Sequence, residues 1–274
     1  MLERELREAA LLAREAGEIL LEVYATDFAV AMKERSDPVT VADERANTFL
    51  VERLRAAFPD DGIVAEESPD RGDALRRGRC WYVDPLDGTK EFVARNGEFS
   101  VMIGLAIEGK AVLGVVYQPV LDKLYRGVIG ERAVLEQDGA ERALEVSVAP
   151  EPSRLRLVVS RSHRSRHTDE IARRLGITHE ETSGSVGLKV GLIAEQRADL
   201  YVHVSDKSSA WDVCAPEAIL RAAGGRFTDV AGEEIVYGGT TDMHNHRGIL
   251  ACNAAAFAAV LPAVRDVSRE AGLV

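Results

Sequence analysis

Between Trp81 and Phe92 the chain passes from an apolar run, Trp81-Tyr82-Val83, into Asp84-Pro85-Leu86-Asp87-Gly88-Thr89, and this passage constrains the fold more than any other. Cys80 to Val83 has the aromatic and β-branched character of a buried strand end. Pro85 removes the next backbone donor, so the ladder is expected to stop there and the chain to turn. Two carboxylates three positions apart, Asp84 and Asp87, then stand beside a Leu86 carbonyl released from regular pairing. That is an all-oxygen donor set of the kind Mg²⁺ prefers. Gly88 permits a tight backbone, and the amides of Gly88 and Thr89 would open a helix whose positive end faces an anion. The same residues also describe a plain strand-to-helix turn with Asp87 as N-cap, and the segment alone leaves both readings open.

Composition narrows the choice of partner. The chain has 274 residues, 46% hydrophobic and 29% charged, enough for a full core in one large domain or two. Its formal charge of −11 argues against a nucleic-acid scaffold, and an anionic substrate would need metal ions or a local basic cluster to offset repulsion. Small molecules are the expected partners. Cys80, Cys214 and Cys252 lie far apart with no CxxC pair, which fits a reducing compartment and excludes a thiolate zinc ribbon. The cytoplasm is the expected location. Charges from Glu3 to Glu18 interrupt any signal-peptide core, and no later stretch is long and apolar enough to cross a membrane. Leu2, Leu6, Ala9, Ala13, Ala16, Leu20 and Tyr24 instead recur at helical spacing, predicting an amphipathic helix packed on the body, with a homodimer contact left open.

After a turn around Ser36-Asp37-Pro38, a second amphipathic helix is expected from Val41 to Phe58, ended by Pro59. Ile63-Val64-Ala65 reads as a strand entering Glu66-Glu67-Ser68, and the charged run from Arg71 to Arg79 as a flexible excursion. Short strands at Ser100–Ile107, Ala111–Tyr117, Lys123–Val128 and Ala133–Glu136 suggest an antiparallel meander. A lobe boundary is expected at Ala149-Pro150-Glu151-Pro152, dividing an α+β lobe over 1–148 from an α/β lobe over 149–274. In the second lobe, strands at Leu155–Ser160 and Leu200–Val204 alternate with helices at Thr168–Leu175, Val186–Glu195 and Asp212–Ala223, so helices should cover a sheet.

Four more acids complete a pattern. Glu66 and Glu67 by themselves suit a solvated loop, Asp43 suits a helix start, and Asp212 suits an N-cap before Pro216. Taken together, Asp37-Pro38-Val39-Thr40-Val41-Ala42-Asp43, Ala65-Glu66-Glu67-Ser68, the Asp84 to Thr89 run, and Trp211-Asp212 followed by Gly224-Gly225 resemble the signatures of the inositol monophosphatase superfamily in order and spacing. The match spans nearly the whole chain.

The resemblance implies a layered αβαβα sandwich of the sugar phosphatase type and a Mg²⁺-dependent, often lithium-sensitive phosphatase. It implies that Glu66, Asp84, the Leu86 carbonyl, Asp87 and Asp212 hold two Mg²⁺ ions, with Asp84 bridging and Asp212 reaching in from the second lobe. Such ions would neutralise the phosphoryl oxygens and lower the pKa of a bound water. Thr89 would orient that water with Glu66, or with Asp43 where a third ion is used, and Glu67 would support the ligands or hold that third ion. The amides of Gly88 and Thr89 would grip the phosphate, and Asp212 would also meet the substrate.

Thr89-Lys90-Glu91-Phe92 is similar to the branch acting on 3'-phosphoadenosine 5'-phosphate, the CysQ type of 3'(2'),5'-bisphosphate nucleotidase. On that resemblance Lys90, Ser162, His163 and Lys189 would meet the ribose or second phosphate, and the products would be AMP and phosphate. A basic loop facing solvent is the plainer account of Arg161 to Arg166. The chain departs from the family between Val202 and Ala210, where a Gly-containing stretch is usual, and at Val213-Cys214-Ala215-Pro216-Glu217. These departures leave inositol phosphate or another phosphosugar as alternative substrates, and a non-catalytic nucleotide- or phosphate-binding protein as the alternative of another class. His244 and His246 lack a third ligand at zinc spacing and read as a polar loop.

Overall fold

The computed structural model describes every residue except 1, 33–37, 69–72, 150, 239–243 and 246. Helices α1 (Glu3–Tyr24) and α2 (Val41–Ala57) are the two expected near the start. Ala9, Leu12, Ala13, Ala16, Leu20 and Val23 form the buried stripe of α1, and Ala42, Ala46, Leu50 and Leu54 that of α2. Val30–Met32 and Pro38–Thr40 pair antiparallel between them.

A seven-stranded sheet follows, with its strands in sequence order: β1 (Gly62–Ala65), β2 (Arg79–Asp87), β3 (Ser100–Ile107), β4 (Lys110–Gln118), β5 (Lys123–Val128), β6 (Ala133–Gln137) and β7 (Ala140–Leu144). β1 runs parallel to β2, and the remainder is the antiparallel meander that the spacing predicts. β7 has no expectation to match. Four of its five residues are exposed, so it carries no apolar alternation to betray it. The short helix α3 (Thr89–Val93) lies between β2 and β3.

Pro85 does not end its strand. β2 continues to Asp87, and its pairing with β3 moves from Asp84 opposite Met102 to Asp87 opposite Ser100, three steps on one strand against two on the other. Pro85 falls in this bulge, where no ladder hydrogen bond is asked of it, so the sheet tolerates a residue that would break a regular central strand.

The second half forms a five-stranded sheet in the order β9-β8-β10-β12-β11, from β8 (Arg156–Ser160), β9 (His179–Ser183), β10 (Leu200–His203), β11 (Gly225–Thr228) and β12 (Ile249–Asn253). β8 is parallel to β9 and β10, while β12 is antiparallel to β10 and β11. Its helices are α4 (Arg166–Leu175), α5 (Val186–Ala194), α6 (Ala210–Ala222) and α7 (Phe257–Glu270). α6 begins at Ala210, two residues before the expected start, because Ser209 rather than Asp212 occupies the N-cap.

Three apolar zones define the layers. α1 and α2 bury their stripes against one face of the first sheet through Trp81, Phe99, Ile103 and Val115. α5 and α6 lie between the sheets, where Val190, Val213 and Cys214 share a core with Tyr82 on one side and Tyr201 and Ala251 on the other. α4 and α7 cover the far face of the second sheet through Ile171, Val260 and Val264. The result is the αβαβα sandwich that the family resemblance implies. Among the described residues no helix is long and apolar enough to cross a membrane.

Candidate active site

The β2 bulge builds the first part of the site. The Leu86 amide donates to Asp84 Oδ1 at 2.9 Å, tying the extra residue back onto the carboxylate. Asp84 is 2% exposed. Burial raises its pKa well above the usual carboxylate range, and the nearby charges of Glu66, Asp87 and Asp212 push it the same way. Gly88 takes φ +99°, a left-handed conformation that turns the strand into α3, and a Cβ there would stand 3.1 Å from the Glu98 carbonyl.

Each acid that faces Asp84 arrives by a separate route. The parallel register sets Ala65 opposite Val83, and the Glu66 amide donates to the Val83 carbonyl at 3.1 Å, so Glu66 leaves β1 beside Asp84. Glu67 and Ser68 follow in a turn, where Asn47 Nδ2 donates to Ser68 Oγ at 3.2 Å. Asp212 is the third residue of α6, and its Oδ2 accepts from the Ser209 amide at 2.6 Å. α6 reaches this position because it rides on paired glycines of the first sheet. A Cβ on Gly104 would lie 2.7 Å from the Ala215 nitrogen, and one on Gly114 would lie 2.1 Å from the Ala215 carbonyl oxygen. Only glycine allows so close an approach.

Asp43 is likewise the third residue of its helix, and its Oδ2 accepts from the Thr40 amide at 2.8 Å and the Thr40 hydroxyl at 2.7 Å. Its other oxygen stands 3.1 Å from Thr89 Oγ1, which also has the Leu86 carbonyl within 3.3 Å. Asp43 and Thr89, far apart in the chain, therefore meet at the strand-to-helix turn.

Among the described residues no three His, Cys, Asp or Glu side chains close on one point as a finished cage. Several carboxylate oxygens are instead engaged by protein donors, as at Leu86 to Asp84, Ser209 to Asp212, and Ser185 Oγ and the Gly187 amide to Asp87 Oδ2 at 2.5 and 3.2 Å. Glu66, Asp87 and Asp212 set their negative charge around Asp84, and a divalent cation would offset that repulsion through their oxygen donors. The donors are all hard oxygen, and burial pushes the Cys80 and Cys252 thiols up to about 12 and raises Cys214 as well, so none offers a thiolate. The set suits Mg²⁺.

The flank that the sequence marks for substrate has a different character. Lys90 Nζ lies 2.8 Å from His163 Nε2 on the exposed rim. Ser162 Oγ donates to Glu91 at 2.5 Å. Lys189 is 3% exposed and turned inward, donating to the Ser185 carbonyl at 2.7 Å and the Gly184 carbonyl at 3.3 Å, with its ammonium 5.1 Å from the Tyr201 ring centre. Burial lowers its pKa to about 8, although Asp87, Glu91, Glu98 and Asp212 pull the other way. Arg161 forks onto Glu98 at 2.7 and 2.5 Å, and Arg164 pairs with Asp169 and Glu180, so these arginines are internally neutralised. Asp37 and His246 lie outside the described residues.

Sequence reasoning gave no site role to Glu91, Glu98 or Tyr201. Burial raises the pKa of the Tyr201 hydroxyl, and the charges of Asp87 and Asp212 push it the same way. A tyrosine inside an apolar strand gives no sign of that.

Residues 2–269 match the Inositol monophosphatase family. A 3'(2'),5'-bisphosphate nucleotidase CysQ of Salmonella typhimurium is 41% identical over 235 residues, covering 85% of this chain and 93% of that protein. Its namesake from Escherichia coli K12 is 38% identical over the same shares. Among solved structures, an inositol monophosphatase from Anabaena superposes with a TM-score of 0.79 at 28% identity, covering 97% of this chain and 96% of that one. CysQ from Bacteroides thetaiotaomicron gives 0.77 at 29%, covering 92% and 97%. With the fold, the bulged Asp84–Asp87 strand and matches that span both halves, this chain belongs to the inositol monophosphatase family of phosphatases and most resembles its CysQ-type members.

Proposed function

We propose that this phosphatase hydrolyses 3'-phosphoadenosine 5'-phosphate to AMP and phosphate with Mg²⁺ as cofactor. The observation that carries the proposal is the buried Asp84 carboxylate under the combined charge of Glu66, Asp87 and Asp212, drawn from both halves of the chain. Glu66, Asp84, the Leu86 carbonyl, Asp87 and Asp212 would hold two Mg²⁺ ions, with Glu67 available to a third. When bound, such ions neutralise phosphoryl oxygens and activate a water for in-line attack.

The chain's own residues do the rest. Thr89 accepts from the attacking water and hands its own proton toward Asp43, whose other oxygen is held by Thr40 and so cannot swing away. Glu66 would help Thr89 to orient that water. The Gly88 and Thr89 amides donate to the phosphoryl oxygens as charge builds on them. The 3' oxygen of the ribose would leave with its bonding pair and take up a proton from solvent water, and Asp212 would meet the substrate there. Lys90 and His163 meet the second phosphate with charge-assisted hydrogen bonds, and Ser162 the ribose. Support for the nucleotide comes from the CysQ relatives at 41% and 38% identity and from the Lys90–His163 pair on the rim.

Mg²⁺-dependent phosphate release from 3'-phosphoadenosine 5'-phosphate and inositol 1-phosphate, measured side by side, tests the reading. Nucleotide preference is expected. Preference for the inositol phosphate would support the second reading, which the Anabaena neighbour favours. Tight nucleotide binding without release would return the chain to a binding role.

A further inference from the structure

The Gly184-Ser185 turn at the start of α5 holds one proposed metal ligand by its back. Ser185 takes φ +47°, a left-handed conformation that is unusual for a residue with a side chain. Its hydroxyl is saturated. Oγ lies 2.5 Å from Asp87 Oδ2, receives the Leu188 amide at 3.1 Å, and has Ser100 Oγ at 2.9 Å. A carboxylate only accepts, so the single Ser185 proton goes to Asp87, and Ser100 must be the donor in the remaining contact. The Gly187 amide adds a second donor to the same Asp87 oxygen at 3.2 Å. Both donors fall on Oδ2, which leaves Oδ1 to meet a cation.

The strained turn has its own clamp. Lys189, one helical turn further on, donates to the carbonyls of Ser185 at 2.7 Å and Gly184 at 3.3 Å, while Glu98 accepts the Gly184 amide at 2.7 Å. A buried ammonium held on two carbonyls has little freedom to reach a ligand in solvent. It does fix the φ at which the serine hydroxyl meets Asp87.

We propose that Ser185, clamped by Lys189, is a positioning residue that sets the orientation of Asp87 across the two halves of the chain and thereby raises its affinity for the divalent ion. The inference rests on the metal assignment above and adds to it a dependence on α5. Partners of this kind typically change metal affinity about 10- to 100-fold.

The test is calorimetric titration of Mg²⁺ into the full chain and into Ser185→Ala, Ser185→Gly and Lys189→Met, with melting measured in a chelator. Both serine variants are expected to weaken Mg²⁺ binding about 10-fold or more. The Mg²⁺ concentration for half-maximal phosphate release should rise by the same factor, with kcat recovering at saturating Mg²⁺. Ser185→Gly relieves the left-handed backbone while deleting the same hydroxyl, so it keeps the test open if Ser185→Ala folds poorly. Lys189→Met should shift binding in the same direction. Unchanged Mg²⁺ affinity in Ser185→Gly, or a loss of chelator-state stability alone, would overturn the proposal and leave the metal assignment standing. Absence of Mg²⁺ binding in the unaltered chain would sink both.

Discussion

Thr89 has one hydroxyl proton and two acceptors within reach, Asp43 Oδ1 at 3.1 Å and the Leu86 carbonyl at 3.3 Å. A bound water hydrogen-bonded to Oγ would bias that proton toward Asp43, the charged acceptor. Thr89→Ala should therefore lower kcat by about 10²-fold or more while KM moves far less, and steady-state kinetics at saturating Mg²⁺ will show it. An equal loss in both parameters would remove Thr89 from the proton path. Asp87→Asn and Asp212→Asn should each cost at least about 100-fold in turnover with the circular dichroism spectrum retained. Near-normal turnover in either variant would sink the metal assignment. The site was legible in the sequence to the extent that its acids sit in local motifs: Asp84 and Asp87 on a strand end, Glu66 after another, Asp212 after a tryptophan. Glu91 and Glu98 were not legible as participants, and neither was the contact of Ser185 with Asp87, because each acts through a partner more than sixty residues away.

Two helices deliver acids in the same way. In α2 and α6 a Thr or Ser at the N-cap stands three residues before an Asp, and the Asp side chain accepts from the N-cap amide. This bond turns the carboxylate back past the helix start, so the side chains of Asp43 and Asp212 face the end where substrate would lie. α6 depends further on the glycines beneath it. Gly114→Val should displace the helix, cost about 1–3 kcal/mol in urea denaturation and weaken Mg²⁺ binding through Asp212. An unaltered Mg²⁺ affinity would show that α6 can move without carrying its acid away. Asp199, ahead of β10, joins strand ends by accepting from the Arg156 amide and Nε at 2.8 Å. Burial alone would raise its pKa, but hydrogen bonds from Arg156 and Ser147 outweigh that and hold it below its ordinary value of 3.8. A depressed carboxylate contributes stability above the unfolded-state pKa and loses it as pH falls through the folded one. The stability gap between the unaltered chain and Asp199→Asn should be full at pH 7 and shrink below about pH 4, as urea denaturation at several pH values will show.

Across the whole molecule, Glu195 ties the two halves at the far end of α5. Its carboxylate accepts from Lys123 Nζ at 3.0 Å, Tyr125 at 2.5 Å and Arg142 at 2.6 Å, and its side chain is only 6% exposed. We propose that the chain divides near residue 149 into two lobes that unfold together, since α5 and α6 belong to the second and pack on the sheet of the first. Calorimetry should then show one transition, and Glu195→Ala, which strands Lys123, should cost about 3 kcal/mol. Two separated transitions in the unaltered chain would disprove the coupling. Much of the layout was already present in the order of residues. Helical and alternating periodicities placed α1, α2 and the meander, because those patterns reflect burial on one face of one element. The acids were visible as types at set spacings. What required the folded chain was everything that depends on distance between elements: the bulge that carries β2 through Pro85, the glycines that seat α6, the inward turn of Lys189, and the grip of Ser185 on Asp87. A periodicity reports which face of an element is buried. It does not report which neighbour buries it, and that neighbour decides the direction of each carboxylate.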